Sequence, residues 1–318
     1  MSNTVHFYER RFPSANMVIV GGPNPVLIDT GFISERFHTE SLIFDCGYSP
    51  EKIRLIINTH YHSDHVGANS LLQKKYGIQI AAHRWEAGLI NNNNQEAWCS
   101  RWLDQPVEPY SVNCLLSDGD EIETGTEVIR VLHTPGHTLG HLCLFLPDTQ
   151  ALISGDLILE NDVGWFNLFR EGSASIEIAI DSLGQMAKLP LKLIYPGHGT
   201  AIANPLETID KARFRLEKWL SSPEKVAWHA CKRIFSYALM IRNGLPEHEV
   251  ADYLMKCEWY HDFSTNIFNL KPIDFIQPLL DEMLRSKAAH WQNNRLMPST
   301  PYNWPVTQIN EAEKRCRL

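Results

Sequence analysis

Short apolar runs separated by turn residues fill the first two thirds of the chain. Residues 17–20, 26–28, 53–57, 78–82, 127–133, 142–146, 151–154 and 191–195 have strand length, β-branched content and flanking Gly, Pro, Asn or Asp. Segments from residue 67 to about 75, 173–188 and 204–220 read as helices between and after them. The pattern predicts a layered α/β protein. Near residue 222 the texture changes. Ser221-Ser222-Pro223 marks a boundary, and helices are predicted over 224–242, 247–257 and 272–286, with a small hairpin at 291–296. Phe275, Leu279 and Met283 recur at helical spacing, as do Val250 and Leu254, which describes a core face. The expected division is therefore 1–222 and 223–318. Residues 91–94 are four Asn and predict an exposed loop. Trp98, Trp102 and Tyr110, and the run Trp259-Tyr260-His261-Asp262-Phe263, are read first as packing, with a pocket wall or lid as the alternative.

Composition narrows the class. The 318 residues suffice for two domains, and 44% hydrophobic with 21% charged residues is ordinary for a soluble globular protein. The formal net charge of −8 argues against a general nucleic-acid or anionic-membrane binder, while leaving room for a local basic pocket. Residues 223–318 are close to neutral, so a DNA-reading tail has weak support. The seven Cys are scattered and form no C-x-x-C pair, as expected of thiols in a reducing compartment. Neither a leader-like amino terminus nor a run of membrane-spanning length is visible, so a cytoplasmic protein is expected.

The chemistry concentrates just past strand ends. Residues 58–67 read Asn-Thr-His-Tyr-His-Ser-Asp-His-Val-Gly. In extended chain, His60 and His62 point the same way and can grip one ion. At the following turn, Asp64 and His65 can serve a neighbouring point. Asp29 closes a strand and is expected to orient the metal-bearing loop. Thr134-Pro135-Gly136 aims His137, and Gly197 and Gly199 flank His198. Asp156, after Ser154-Gly155, is a candidate bridge between two metals. His83, His133 and His141 are read as structural imidazoles.

This ordered series resembles the metallo-β-lactamase-fold hydrolases over roughly residues 5–220, and their branch related to glyoxalase II thioesterases in particular. The resemblance rests on Asp29 in Leu-Ile-Asp-Thr-Gly, His60, His62, Asp64 and His65 in their cluster, His137 in Thr-Pro-Gly-His-Thr, Asp156 in Ser-Gly-Asp, and His198 in Pro-Gly-His-Gly. It implies a four-layer αββα sandwich with metals at one edge of the sheets, followed by a mostly helical, winged-helix-like carboxy-terminal domain. It implies His60, His62 and His137 on one metal, Asp64, His65 and His198 on the second, and Asp156 bridging. The expected cofactors are two divalent ions, zinc first, with iron and manganese able to use the same ligands. The expected activity is hydrolysis of a small ester, thioester or lactone by a metal-bridging hydroxide, with Asp64 and Asp156 handling protons. The expected partner is a small-molecule substrate, without a membrane; nucleic acid is disfavoured and oligomeric state is left open. Two alternatives accompany it: a ribonuclease of the same fold, and a metal-containing ligand sensor with incidental hydrolysis. A β-lactam hydrolase is set aside for want of an export signal.

Overall fold

A computed structural model describes residues 5–92 and 99–304. Six strands form the first sheet in sequential order: β1 (Val5–Tyr8), β2 (Met17–Val20), β3 (Val26–Ile28), β4 (Leu55–Ile57), β5 (Gln79–His83) and β6 (Cys114–Leu116). The first three are antiparallel, and β3 to β6 run parallel. Five strands form the second sheet: β7 (Glu121–Glu123), β8 (Val128–His133), β9 (Leu142–Leu146), β10 (Ala151–Gly155) and β11 (Leu193–Pro196). Helices α1 (Arg36–Asp45), α2 (Asn69–Tyr76), α3 (Arg84–Asn91) and the short α4 (Ser100–Leu103) interrupt the first half. Helices α5 (Ser175–Met186) and α6 (Pro205–Leu220) follow β10 and β11.

The apolar runs explain the layering. Side chains alternate faces along a strand, and here both faces are buried, which removes the usual polar alternation. Val18, Val20, Val26, Ile28, Leu55 and Ile57 point to the core between the sheets and meet Leu142, Leu144, Leu146 and Ile153 of the second sheet. Their neighbours Met17, Ile19, Leu27 and Ile56 point outward to Ile43 of α1, Leu72 of α2 and Ile90 of α3. On the far side, Cys143, Phe145 and Leu152 pack on Ile176 and Leu183 of α5 and on Ile209 and Leu216 of α6. The result is the expected αββα sandwich.

After α6 come α7 (Pro223–Ile241), α8 (Glu247–Leu254), α9 (Glu258–Asp262) and α10 (Pro272–Arg285). A third sheet joins β12 (Leu245–Pro246) to the hairpin β13 (Ala289–Gln292) and β14 (Arg295–Pro298). The region is mostly helical, as expected, and the small sheet gives it the winged-helix-like outline. Its apolar faces are continuous with the outer core of the first sheet: Ala230, Phe235, Leu254, Trp259, Phe275 and Leu296 belong to that cluster. Trp259, Tyr260 and Phe263 are fully buried there, so this aromatic run packs and forms no lid. Of the Asn run, Asn91 closes α3 and is exposed with Asn92, while residues 93 and 94 lie outside the described part, as does Trp98.

Phe235 is fully buried at the centre of α7, beside the rings of Tyr253 and Trp259. Phe235→Ala is expected to cost about 3–5 kcal/mol, the range for aromatic truncation in a packed core. Urea unfolding followed by circular dichroism checks this; a loss below ~1 kcal/mol would contradict the packing.

Candidate metal centre

The sheet-edge loops bring the seven sequence-predicted residues together. His60, His62, Asp64 and His65 sit between β4 and α2, His137 between β8 and β9, Asp156 past β10, and His198 past β11. Backbone bonds lock these loops across the two sheets: Ala15 N–H donates to the Asp64 carbonyl at 3.0 Å, Thr30 N–H to that of His65 at 2.7 Å, Asn16 N–H to that of Gly197 at 2.7 Å, and Leu142 N–H to that of Thr59 at 2.8 Å. The Asn16 side chain also donates to the carbonyls of Pro196 and Gly199, on either side of His198. Two glycines permit the close approach. Gly155 has φ +48°, and a Cβ there would meet the His141 ring at 2.6 Å; a Cβ on Gly197 would collide with the Asp156 carboxylate.

His60 Nε2, His62 Nδ1 and His137 Nε2 converge, with separations of 3.0, 3.1 and 2.9 Å. Asp64 Oδ2 lies 3.1 Å from His198 Nε2. Asp156 stands between the groups. Its Oδ1 is 3.5 Å from His65 Nε2, and its Oδ2 is 3.7 Å from His198 Nε2 and 3.9 Å from His137 Nε2. Ligand atoms of three sets, His60/His62/His137, His60/His65/Asp156 and Asp64/His65/His198, each fall within 4.8 Å of one another.

The outward nitrogens set the tautomers. His137 Nδ1 donates to the Trp165 carbonyl at 2.7 Å, leaving its Nε2 a bare lone pair. His60 Nδ1 faces Thr59 Oγ1 at 3.1 Å. That hydroxyl donates to Asp29 Oδ2 at 2.7 Å, so it accepts from His60 and leaves the inner nitrogen bare as well. His65 Nδ1 donates to Asp29 Oδ2 at 2.7 Å, and Thr59 N–H donates to Asp29 Oδ1 at 2.9 Å. Asp29 thus orients one ring directly and another through a hydroxyl. His141, read as structural, faces Thr134 Oγ1 at 3.0 Å and accepts from Asp156 N–H at 3.3 Å. His83 and His133 stack on each other at 4.0 Å, away from the seven.

Burial, reinforced by neighbouring imidazoles, holds His60 and His62 well below the ordinary histidine pKa. For Asp156 burial opposes ionisation, yet His198, His65 and His137 keep it well below the usual carboxylate range. His65 moves up: burial lowers it, but Asp29, Asp156 and Asp64 outweigh that. The surroundings of its Nε2 call for positive charge. His65 Nε2 and Asp156 Oδ1 are also buried without a hydrogen-bond partner. Unpaired buried acceptors, neutral imidazoles and ionised carboxylates facing one another fit divalent cations.

Motif reading missed the groups that cover and brace the site. Trp165 stacks on His62 at 5.2 Å, and Phe12 stacks on His198 at 4.5 Å. Tyr61 donates to Glu171 Oε1, whose Oε2 accepts from Leu139 N–H, joining the His60–His62 loop to the His137 loop. Nothing in a lone Glu or Trp signals such a contact. Of the suspected wall segment, Trp102 donates to Asp262 and Tyr110 is buried, while Leu103 and Gln105 line the cavity beside the site.

Residues 10–198 match the metallo-beta-lactamase superfamily, and the chain belongs to it; the class is that of metal-dependent hydrolases. An uncharacterised protein of Aquifex aeolicus (strain VF5) is 29% identical over 184 residues, covering 55% of this chain and 85% of its own. The beta-lactamase-like protein 2 homolog of Caenorhabditis elegans is 29% identical over 205 residues, 62% and 59% of the two chains. A hydroxyacylglutathione hydrolase of Rhizobium etli is 32% identical over 154 residues, 48% and 51%. The match thus spans little more than half the length of the last two relatives. A metallo-beta-lactamase family protein from Thermus thermophilus shares the fold over 93% of this chain and 98% of its own, with TM-score 0.58 and 21% identity. MEM-A1, a subclass B3 metallo-beta-lactamase from a soil metagenome library, does so over 70% and 95%, with TM-score 0.59 and 18% identity. Among the described residues no helix is long and apolar enough to cross a membrane.

Under the site, Glu86 of α3 is 1% exposed and accepts from Thr138 Oγ1, and its Oε2 has no partner. Burial pushes its pKa well above the ordinary value, with Glu171 and Asp29 adding to the rise. A raised folded pKa means that the unfolded chain ionises first. Stability is then full below about pH 4.5 and falls as pH rises toward the folded pKa. Glu86→Gln removes this loss, so its melting temperature should exceed the parent's at pH 7, and the gain should shrink at pH 4. Calorimetry at both pH values checks the sign.

Proposed function

We propose that this protein is a dinuclear metal-dependent hydrolase of a small ester, thioester or lactone. Residues 1–222 would form the catalytic domain, and residues 223–318 an extension that supplies one wall of its pocket. The observation that carries the reading is the convergence of five imidazoles and two carboxylates on two adjacent points. His60, His62 and His137 would hold one ion, Asp64, His65 and His198 the second, and Asp156 both. Zinc suits this donor set first, with iron and manganese as alternatives. When bound, such a pair supplies a water activated at neutral pH and a Lewis acid for the carbonyl oxygen.

The chain does the rest. Asp29, Thr59 and the Trp165 carbonyl fix the ring orientations. Asp64 and Asp156 are the groups placed to take a proton at the reacting edge and return it to the leaving group. Leu103, Leu159, Ile234 and Met240 line the approach and exclude bulk water. The name of the hydroxyacylglutathione hydrolases carries an acyl–thiol compound, which favours a thioester among the three substrate types. The side chains of Asp64, Asp156 and His198 keep 10–13% exposure, so the metal edge is narrowed and not sealed; this favours turnover over a sensing role. Six free cysteines among the described residues support a reducing, cytoplasmic setting.

Metal-loaded protein should hydrolyse members of a panel of short thioesters, esters and lactones. A chelator should abolish turnover, and added zinc restore it. His62→Ala and Asp156→Ala should each lower kcat/KM about 10³-fold with unchanged circular dichroism, on the scale of losing Lewis-acid stabilisation. Turnover indifferent to both substitutions would sink the proposal. Asp29→Asn keeps the shape and removes the charge behind His65. It should weaken zinc binding by about 10–100-fold in competition with a chromophoric chelator, read on protein that circular dichroism shows folded. Its melting temperature should be lower, because the new amide NH2 faces donors that Asp29 now accepts from.

A further inference from the structure

The cavity at the metal edge is small, about 80 Å³, whereas sites that enclose a whole drug-sized ligand run to roughly 300–1,000 Å³. It has room for a scissile carbonyl and a short acyl chain. The remainder of any larger substrate must lie outside it. A second cavity of about 430 Å³ begins at Leu159, which lines both, and runs along α6 to the first turn of α7.

The second cavity differs sharply in character from a chain of net charge −8. Lys211, Phe214, Arg215 and Lys218 fall at i, i+3, i+4 and i+7, one face of α6, and Lys225 joins them from α7. Phe214 is 59% exposed, with the Lys218 ammonium 4.0 Å above its ring. Between the two cavities stands Asp162. It receives Arg215 Nη1 at 2.8 Å, His229 Nε2 at 3.2 Å and the guanidinium of Arg233, which itself lines the metal-edge cavity. Burial depresses the His229 pKa to about 3, so it adds a donor and no charge. Asp162 therefore meets two guanidinium groups. Along the whole groove Lys211, Arg215, Lys218 and Lys225 face Glu160 and Asp162, four cations against two carboxylates, although Lys211 also pairs with Glu207 at 2.7 Å.

We propose that this groove binds the phosphate-bearing carrier half of an acyl thioester, with the acyl carbonyl at the metal edge and a nucleotide-type handle along α6. The assignment rests on the hydrolase reading and names its substrate class. Arg233 and Arg215 would meet the phosphates nearest the passage, Lys218 and Lys225 those further out, and the exposed face of Phe214 a planar base. In the reaction the oxygen of water bonds to the acyl carbon, the carbon–sulfur bond breaks, and the thiol leaves with one of the water's protons. No redox partner is needed. A single-stranded RNA is the less favoured occupant, because the small metal-edge cavity leaves no room for nucleotides on both sides of a scissile phosphate.

The test uses the full chain, in wild type and in the double variant Lys218→Glu/Lys225→Glu, which alters exposed side chains outside the metal edge. Adenosine 3′,5′-bisphosphate serves as a probe by calorimetry at low salt. Wild type should bind it, with affinity falling as salt rises, and the double variant should bind at least tenfold more weakly. With zinc loaded, wild type should hydrolyse acetyl-coenzyme A with a kcat/KM at least tenfold above that for acetyl-N-acetylcysteamine or S-acetylglutathione. The double variant should lose that preference through KM while keeping its rate on the truncated thioester. Failure of the probe to bind, or equal binding by both proteins, overturns the proposal. So does equal preference for all three thioesters, which leaves the hydrolase reading standing. Cleavage of single-stranded RNA in preference to any thioester, sensitive to the same substitutions, replaces the carrier with RNA. Probe binding that the variant loses, without turnover of any thioester, overturns the carrier assignment and leaves the groove as a phosphate site; the hydrolase reading falls as well only if esters and lactones are not turned over either.

Discussion

Seven polar side chains are pressed together at the sheet edge, and three of the rings, His60, His65 and His137, are tied from behind by hydrogen bonds. Asp29 is the principal tie. One carboxylate accepts from His65, from the Thr59 hydroxyl and from the Thr59 amide, and through that hydroxyl it also governs His60. The Trp165 carbonyl does the same for His137. With the outward nitrogens of His60, His65 and His137 spent on these bonds, their inward ones have lone pairs to offer. The site is thus prepared for cations by hydrogen bonds that touch no cation.

The sandwich makes that preparation possible. Strands buried on both faces are rigid, and their ends move little. Ligands past the ends of β4, β10 and β11 and between β8 and β9 inherit that rigidity while remaining on loops with backbone freedom. Gly155 and Gly197 let loops from neighbouring strands approach closely enough for Asp156 to sit between His65, His137 and His198. The second sheet contributes three of the seven residues and the first sheet four, and the Leu142–Thr59 backbone bond couples them.

The carboxy-terminal helices change the picture from a bare edge to a pocket. Arg233, Ile234, Tyr237 and Met240 of α7 face the same cavity as His62 and Asp156. They narrow the opening to the size of a small reactive group and place a guanidinium beside it. The same helix is welded to the outer core of the first sheet through Ala230 and Phe235, so this wall is part of the fold.

Much of this was legible before folding. The β-branched runs and helical periodicities marked most of the long elements, because period and burial leave their imprint on side-chain type, but α1 and α3 were not among them. The candidate ligands were legible because imidazoles and carboxylates follow strand ends, four of them within residues 58–67 and the other three each beside a glycine. The covering groups were not. Trp165, Phe12, Glu171 and Arg233 are ordinary residues in ordinary positions, and their roles arise from contacts between segments far apart in the chain. The amino acids alone determined which groups can bind metal and which segments bury themselves. Tertiary structure decided which nitrogen of each ring faces inward, how large the opening is, and where its charge lies, because those depend on distances between side chains that the linear order does not contain.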